Sequence, residues 1–265
     1  MTRLRSVWDA DAQDWSEVQE GLSLPLYKAI LSCLPVVGRC RLLDLGCGAG
    51  SFCSLAASIG VRPIGLDSSP TMLALARERA PEVEFVQGDM QDLPFPSSTF
   101  DAVTAIHSVQ SASSARAVFR EMKRVARAGA AVVVATLGPE ERCEAAAVLR
   151  ALARMSKEAP GDGPDPFALA RQGELETLAT EAGLTPVLVE DVECAWTYDD
   201  VETAVRGLMA GGAAVSAARA VGDKAVSRAI VDLLGQFQVA SGGVLLRNRY
   251  RFMMASAPDD TLDVA

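Results

Sequence analysis

Leu42-Leu43-Asp44-Leu45-Gly46-Cys47-Gly48-Ala49-Gly50 is the stretch on which the reading of this chain turns. An apolar run carrying one acid empties into three glycines that alternate with small residues, and helix signals begin at Ser51. A buried strand leading into a glycine-only turn lets a ligand press against bare backbone, so the stretch marks a cofactor site.

Outward from this point the pattern repeats. Arg41 to Leu45 reads as a first strand and Ser51 to Ser58 as a helix ended by Gly60. Pro63 to Asp67 follows as a second strand. Ser68-Ser69-Pro70 supplies an N-cap and a first-turn proline for a helix to about Arg79. Val83 to Gln87 is a third strand, Gly88 to Ser98 a loop, and Asp101 to His107 a fourth strand, apolar on both faces as buried parallel strands are. A helix over Ser113 to Arg127 leads into a fifth strand, Ala131 to Thr136. This alternation predicts an α/β domain with a mostly parallel sheet.

The flanks are less regular. Asp9 to Leu34 reads as helical, with Trp8, Ala12, Trp15 and Gln19 on one face and Pro25 starting a second helix. After the fifth strand come a helix over Glu140 to Lys157, a Pro/Gly-rich loop, and a helix from Gln172 to Ala182. A sixth strand spans Leu184 to Cys194. Further helices run from Asp199 to about Ala210 and over Ser216 to Phe237, and Val244 to Ala255 reads as the last strand. We expect one domain over 1–265: an N-terminal helical lid (1–38), a cofactor-binding core (39–138), and remaining sheet and substrate-side helices (139–265).

Composition narrows the function. The 265 residues are 49% hydrophobic and 22% charged, enough for a sizeable core. A net charge of −9 opposes a nucleic-acid partner, which needs a concentrated basic surface. No apolar run has bilayer length, and the start has no signal-peptide core, so a cytoplasmic protein without a membrane partner is expected. The six scattered cysteines and single histidine favour neither a disulfide framework nor a metal site.

Glycine spacing and charge then bear on the cofactor. A dinucleotide turn runs G-x-G-x-x-G, whereas here Ser51 stands where the third glycine would be. Asp44 would oppose a pyrophosphate at the helix N-terminus and suits a ligand carrying positive charge.

With Asp44 to Gly50, Gly65-Leu66-Asp67-Ser68-Ser69, Gly88-Asp89-Met90-Gln91, and Val103 to Ser108 in order, the chain resembles the class I S-adenosylmethionine (SAM)-dependent methyltransferases, in particular the small-molecule, type 11-like group. The matches cover roughly residues 40–136. The resemblance implies a Rossmann-like, seven-stranded sheet with an antiparallel last strand. It also implies SAM as cofactor and S-adenosylhomocysteine as product. On it, Gly46, Cys47, Gly48 and Gly50 form the cofactor turn. Asp67, with Ser68, holds the ribose hydroxyls, and Asp89, Met90 and Gln91 take the adenine beside a soft wall at Met72. Asp44 and carbonyls near Ile106 balance the methionine ammonium. Each acid also has a bland reading as a cap of the next turn, and Met72 one as helix core.

Methyl transfer is an in-line displacement in which positioning does most, and a base is optional. His107, at the mouth of the fourth strand, can take a proton as a neutral imidazole or merely pack. Gln110 and Ser108 can orient an acceptor, and Trp8 and Trp15 can close over the pocket or bury as core. The expectation is methylation of an O, N or C centre on a small, largely apolar metabolite by a monomer or homodimer. High Ala and Arg with little Lys fits a GC-rich bacterial genome, where such enzymes often serve specialised metabolism. The competing readings are a SAM-binding protein or non-methylating SAM-dependent enzyme, and an NAD(P)-dependent dehydrogenase.

Overall fold

A computed structural model describes residues 11–35, 40–156 and 165–258. Seven strands form one sheet in the order β3-β2-β1-β4-β5-β9-β6. They are β1 (Arg41–Leu45), β2 (Arg62–Asp67), β3 (Glu84–Gln87), β4 (Phe100–Ile106), β5 (Ala126–Leu137), β6 (Thr185–Glu193) and β9 (Arg249–Ser256). The pairs from β3 to β5 are parallel, and β9 runs antiparallel between β5 and β6. This is the Rossmann-like methyltransferase arrangement expected from the sequence.

Period-two alternation distributes the core between the two faces of the sheet. Leu42, Ala102, Ile106, Val133 and Ala135 pack on one side. Leu43, Leu45, Val103, Ala105, Val132 and Val134 pack on the other. The second side is covered by α4 (Ala115–Val125) and α6 (Glu174–Glu181). In α4 the Ser114 hydroxyl accepts from the Ala117 amide, and Val118, Phe119, Met122 and Val125 form its buried stripe. The first side is covered by α1 (Leu24–Cys33), α5 (Ala146–Met155), α7 (Val201–Met209), α8 (Gly212–Val221) and α9 (Asp223–Leu234).

Several boundaries differ from the sequence reading, each for a local reason. The last strand is two: β8 (Val244–Leu246) pairs with β7 (Trp196–Tyr198) as a separate ribbon, and Asn248 breaks the run. The Asn248 side chain accepts from the Ala145 amide and donates to the Leu246 carbonyl. The helix expected over Glu140 to Lys157 is a short 3₁₀ turn followed by α5. Ser216 to Phe237 divides at Gly222, whose φ of 88° stops α8. The N-terminal helix is wound unevenly: a π turn (Trp15–Gln19) and a 3₁₀ turn (Glu20–Ser23) precede α1.

The topology places the site. From β1 the chain builds outward through β2 and β3, then returns to lay β4 on the other side of β1. Such a reversal leaves a crevice at the carboxyl ends of the two strands, here above Leu45 and Ile106.

Gly50, expected to touch the cofactor, instead lies against α3 (Pro70–Arg79) and β3. A Cβ there would sit 3.0 Å from both Ala76 Cβ and Phe85 Cζ, at a φ of +81°. Gly50→Ala should therefore cost about 1–3 kcal/mol in urea unfolding, from the left-handed backbone and the crowding together. A change below about 0.5 kcal/mol would contradict this packing role.

Candidate functional site

The crevice opens into a cavity of about 450 Å³. Its walls include Trp15, Asp44, Gly46, Cys47, Gly48, Asp67, Ser68, Met72, Asp89, Met90, Gln91, Ile106, His107 and Ser108 from the sequence reading. Gly50 and Gln110 do not line it, and Trp8 lies outside the described residues. Glu20, Ser23, Tyr27, Phe52, Gln87 and Ser111 to Ser113 line it without having been singled out.

The glycine turn is shaped by its neighbours. The Gly46 and Cys47 amides donate to the Leu66 carbonyl at 2.7 and 3.0 Å, which ties the turn to the end of β2. A Cβ on Gly46 would stand 2.3 Å from Ser108 Cβ, and one on Gly48 would stand 2.9 Å from Glu20 Oε1. Both glycines have positive φ, so the turn is glycine for space and for backbone conformation alike.

The three acids have different surroundings. Asp67 accepts from the Gly48 amide (3.0 Å) through one oxygen and from the Ser69 amide (2.8 Å) through the other. Each carboxylate oxygen has a second lone pair, so Asp67 can brace the turn and still receive ligand hydroxyls. Asp89 accepts from the Gln91 amide and side chain through Oδ1. Gln91 in turn accepts from the Ser113 hydroxyl and the Ser114 amide, coupling this loop to the start of α4. Asp44 is 2% exposed, accepts from Thr104 Oγ1 at 2.7 Å and receives the Cys53 thiol. Burial raises its pKa to about 7, with the Thr104 and Cys53 bonds opposing and the Glu20 and Asp67 charges adding to the rise.

His107 closes the β4 end. Its φ is +53°, a left-handed conformation that histidine tolerates better than most side chains, and its amide donates to the Ala135 carbonyl. Nε2 is buried without a hydrogen-bond partner among the described residues. Burial lowers the imidazole pKa to about 4, so the ring is neutral at pH 7 and weakly basic.

Glu20 is the group that local spacing hides most completely. It is 5% exposed and accepts from the Ala49 amide (3.0 Å) and the Ser51 hydroxyl (2.6 Å). It also forms an ion pair with Arg79, which donates in addition to the Ala49 carbonyl and Ser16. The pair straps the N-terminal segment across the glycine turn, and its partners lie 59 residues apart. At helical spacing Glu20 shares its face with Gln13, Ser16 and Glu17, so it reads as one more exposed polar residue.

A glycine-walled crevice at a sheet reversal, with a buried acid beside the turn and one at each of the next two strand ends, defines a nucleoside-type cofactor site of the Rossmann-like class. Residues 43–134 match the family model described as Methyltransferase domain. The demethylmenaquinone methyltransferase of Renibacterium salmoninarum is 33% identical over 117 residues, 42% of this chain and 49% of that protein. The malonyl-[acyl-carrier protein] O-methyltransferase of Erwinia pyrifoliae is 31% identical over 173 residues, 65% of this chain and 62% of that protein. This chain thus spans less than two thirds of the length of either relative. Among solved structures, the Haemonchus contortus phosphoethanolamine N-methyltransferase 2 complex with SAM superposes with a TM-score of 0.59 at 17% identity, covering 98% of this chain and 61% of that one. The [4+2]-cyclase SpnF superposes at 0.60 with 21% identity, covering 96% and 91%. Residues 43–134 are thus similar to a methyltransferase domain, and the fold around them is that of SAM-dependent methyltransferases, whose cofactor is SAM.

The residues fit that cofactor. SAM carries an ammonium that a buried carboxylate can meet, and Asp44 stands at the cavity wall without a cationic partner in its hydrogen bonds. Because the ammonium favours ionised Asp44, SAM affinity should rise with pH up to about 7, by as much as about ten-fold per unit below it. Asp44→Asn should bind more weakly and lose that dependence in calorimetric titration. Asp44 also affects the free protein. Its folded pKa lies above the unfolded value of 3.8, so its stabilising contribution is full below about pH 4 and lost as pH rises through about 7.

Removing the strap should be visible without any ligand. Arg79→Met leaves Glu20 buried and unpaired, and should destabilise the protein by about 1–3 kcal/mol, discounted because Arg79 is partly exposed. It should also speed amide exchange over Ala12–Cys33. Exchange unchanged there would show that the ion pair does not hold the segment down.

Proposed function

We propose that this protein transfers a methyl group from SAM to an O, N or C nucleophile of a small, largely apolar metabolite, with positioning as its main catalytic device. The observation that carries this reading is the meeting of Asp44, the Gly46–Gly48 turn, Asp67 and Asp89 in one cavity that continues past the cofactor turn to His107. In this reading Asp44 balances the methionine ammonium, Asp67 takes the ribose hydroxyls, and Asp89 and the Met90 amide take the adenine between Met72 and Met90. SAM supplies an electrophilic methyl. The chain's part is to hold the acceptor in line with it and to keep water out beneath Trp15 and the Glu20 strap.

The relative named for demethylmenaquinone supports a small-molecule acceptor, whereas the one named for malonyl-[acyl-carrier protein] takes an acceptor carried on a protein; a composition rich in Ala and Arg with little Lys suits bacterial specialised metabolism. A second reading, a SAM-binding enzyme that does not methylate, has one support: the likeness to the cyclase SpnF.

Asp67→Ala should weaken SAM binding at least ten-fold, about 1.4 kcal/mol, the range of a charge-assisted hydrogen bond. Unchanged affinity would remove the cofactor assignment. Release of S-adenosylhomocysteine across an acceptor panel separates the two readings. Binding of NAD in preference to SAM would favour a dehydrogenase instead.

A further inference from the structure

Every backbone amide of the glycine turn is already engaged. The Gly46 and Cys47 amides donate to the Leu66 carbonyl, and the Gly50 amide donates to the Cys47 carbonyl at 3.0 Å. The two amides between them go to carboxylates from distant parts of the chain: Gly48 to Asp67 at 3.0 Å and Ala49 to Glu20 at 3.0 Å. Glu20 is held from two further directions. Its other oxygen accepts from the Ser51 hydroxyl at 2.6 Å, and Arg79, at the end of α3, forms an ion pair with it. Arg79 is itself seated at the turn, donating to the Ala49 carbonyl at 2.6 Å and to the Ser51 hydroxyl at 2.7 Å.

An amide, a hydroxyl and a guanidinium converging on one carboxylate are the kinds of donor that receive a phosphate oxygen at such a turn. Here the chain supplies the anion itself. Glu20 is 5% exposed, forms part of the cavity wall, and has its Oε1 only 2.9 Å from where a Cβ on Gly48 would stand. The space directly over the turn is therefore filled. Burial raises the Glu20 pKa, while the bonds from Ser51, Arg79 and Ala49 pull the other way and favour the ionised form. Asp44 and Asp89 share the cavity but accept from Thr104, Cys53 and Gln91 instead of from the turn. Asp67 has a part in the cofactor reading, as the partner of the ribose hydroxyls. Glu20 has none, and its position calls for another account.

We infer that Glu20 is a specificity-determining residue: it occupies the anion position of the glycine turn from within the chain, and so rejects nucleotides that carry a pyrophosphate while admitting a nucleoside whose 5′ group bears no phosphate. This rests on the cofactor reading and assigns the source of its selectivity. A pyrophosphate could reach the turn only by displacing Glu20 from Ala49 and Ser51, which would leave a buried carboxylate beside the incoming anion. Rejection by a like charge already in place requires no contact with the ligand that is accepted.

The test titrates adenosine, ADP and inorganic pyrophosphate calorimetrically in metal-free buffer of low ionic strength, where charge effects are least screened. The unaltered protein should bind adenosine at least about ten-fold more tightly than ADP and take up no pyrophosphate. Glu20→Gln keeps the side-chain length and an oxygen for the Ala49 amide, but leaves the Arg79 charge without its carboxylate. In it ADP should gain about ten-fold relative to adenosine, and pyrophosphate should bind. Removing both charges in Glu20→Gln/Arg79→Met should abolish that gain. An unchanged ADP-to-adenosine ratio in Glu20→Gln, or a gain that persists in the double variant, would overturn the inference. So would ADP binding as tightly as adenosine to the unaltered protein, a comparison that needs no variant to fold. Failure of adenosine to bind the unaltered protein would instead strike the cofactor reading. Pyrophosphate needs no ribose or adenine contact, so its binding to Glu20→Gln keeps the two failures apart.

Discussion

The reversal of chain direction at β1 is the constraint from which the rest of the site follows. β1 is hydrogen-bonded to β2 on one side and to β4 on the other, so the connections leaving β1 and β4 diverge to opposite faces. The carboxyl ends of both strands are left facing a gap. Into that gap the chain places a turn whose first glycine has Ser108, from beyond β4, where a side chain would go. Turn and strand end are fitted to each other, and the backbone amides of the turn are fixed by Leu66 and Asp67 before any ligand arrives.

Electrostatics gives the crevice its selectivity. Four carboxylates, Glu20, Asp44, Asp67 and Asp89, stand on one cavity. Glu20 is neutralised by Arg79, and Asp67 is braced by two backbone amides. Among the described residues, a hydroxyl and a thiol donate to Asp44, and its raised pKa expresses the cost of holding a charge there. A cationic group on the ligand would relieve that cost. A site arranged in this way favours a sulfonium amino acid over a pyrophosphate, and the same desolvation keeps His107 neutral on the far side.

Much of this was legible in the sequence because it is local. The β-α alternation, the glycine turn, the Ser69 cap and the acids at or just beyond the strand ends depend on neighbours within a few residues, and they fell where the pattern placed them. The elements misread are those decided at a distance. Asn248 ends β8 because its side chain is needed by Ala145, 103 positions away, and Gly50 serves Ala76 and Phe85 instead of the cavity. Gln110 does not line the cavity, although Ser108 and Ser111 on either side of it do; it lies within a 3₁₀ turn over Val109–Ser111.

By itself, then, the sequence determined the parallel sheet, the position of the crevice and the chemistry of the cofactor, since these rest on periodicity, backbone freedom and the sign of charge along short segments. Tertiary structure decided what surrounds them: the strap of Glu20 on Arg79, and the run of contacts from His107 to Tyr250, from Tyr250 to Trp196 and Ser23, and on through Tyr27 to Phe52. These groups come from the N-terminal helix, from α2 (Ser51–Ser58), and from β7 and β9, far apart in the chain. Only burial against one another gives them their pairing and their altered acidity, and no spacing along the chain encodes either.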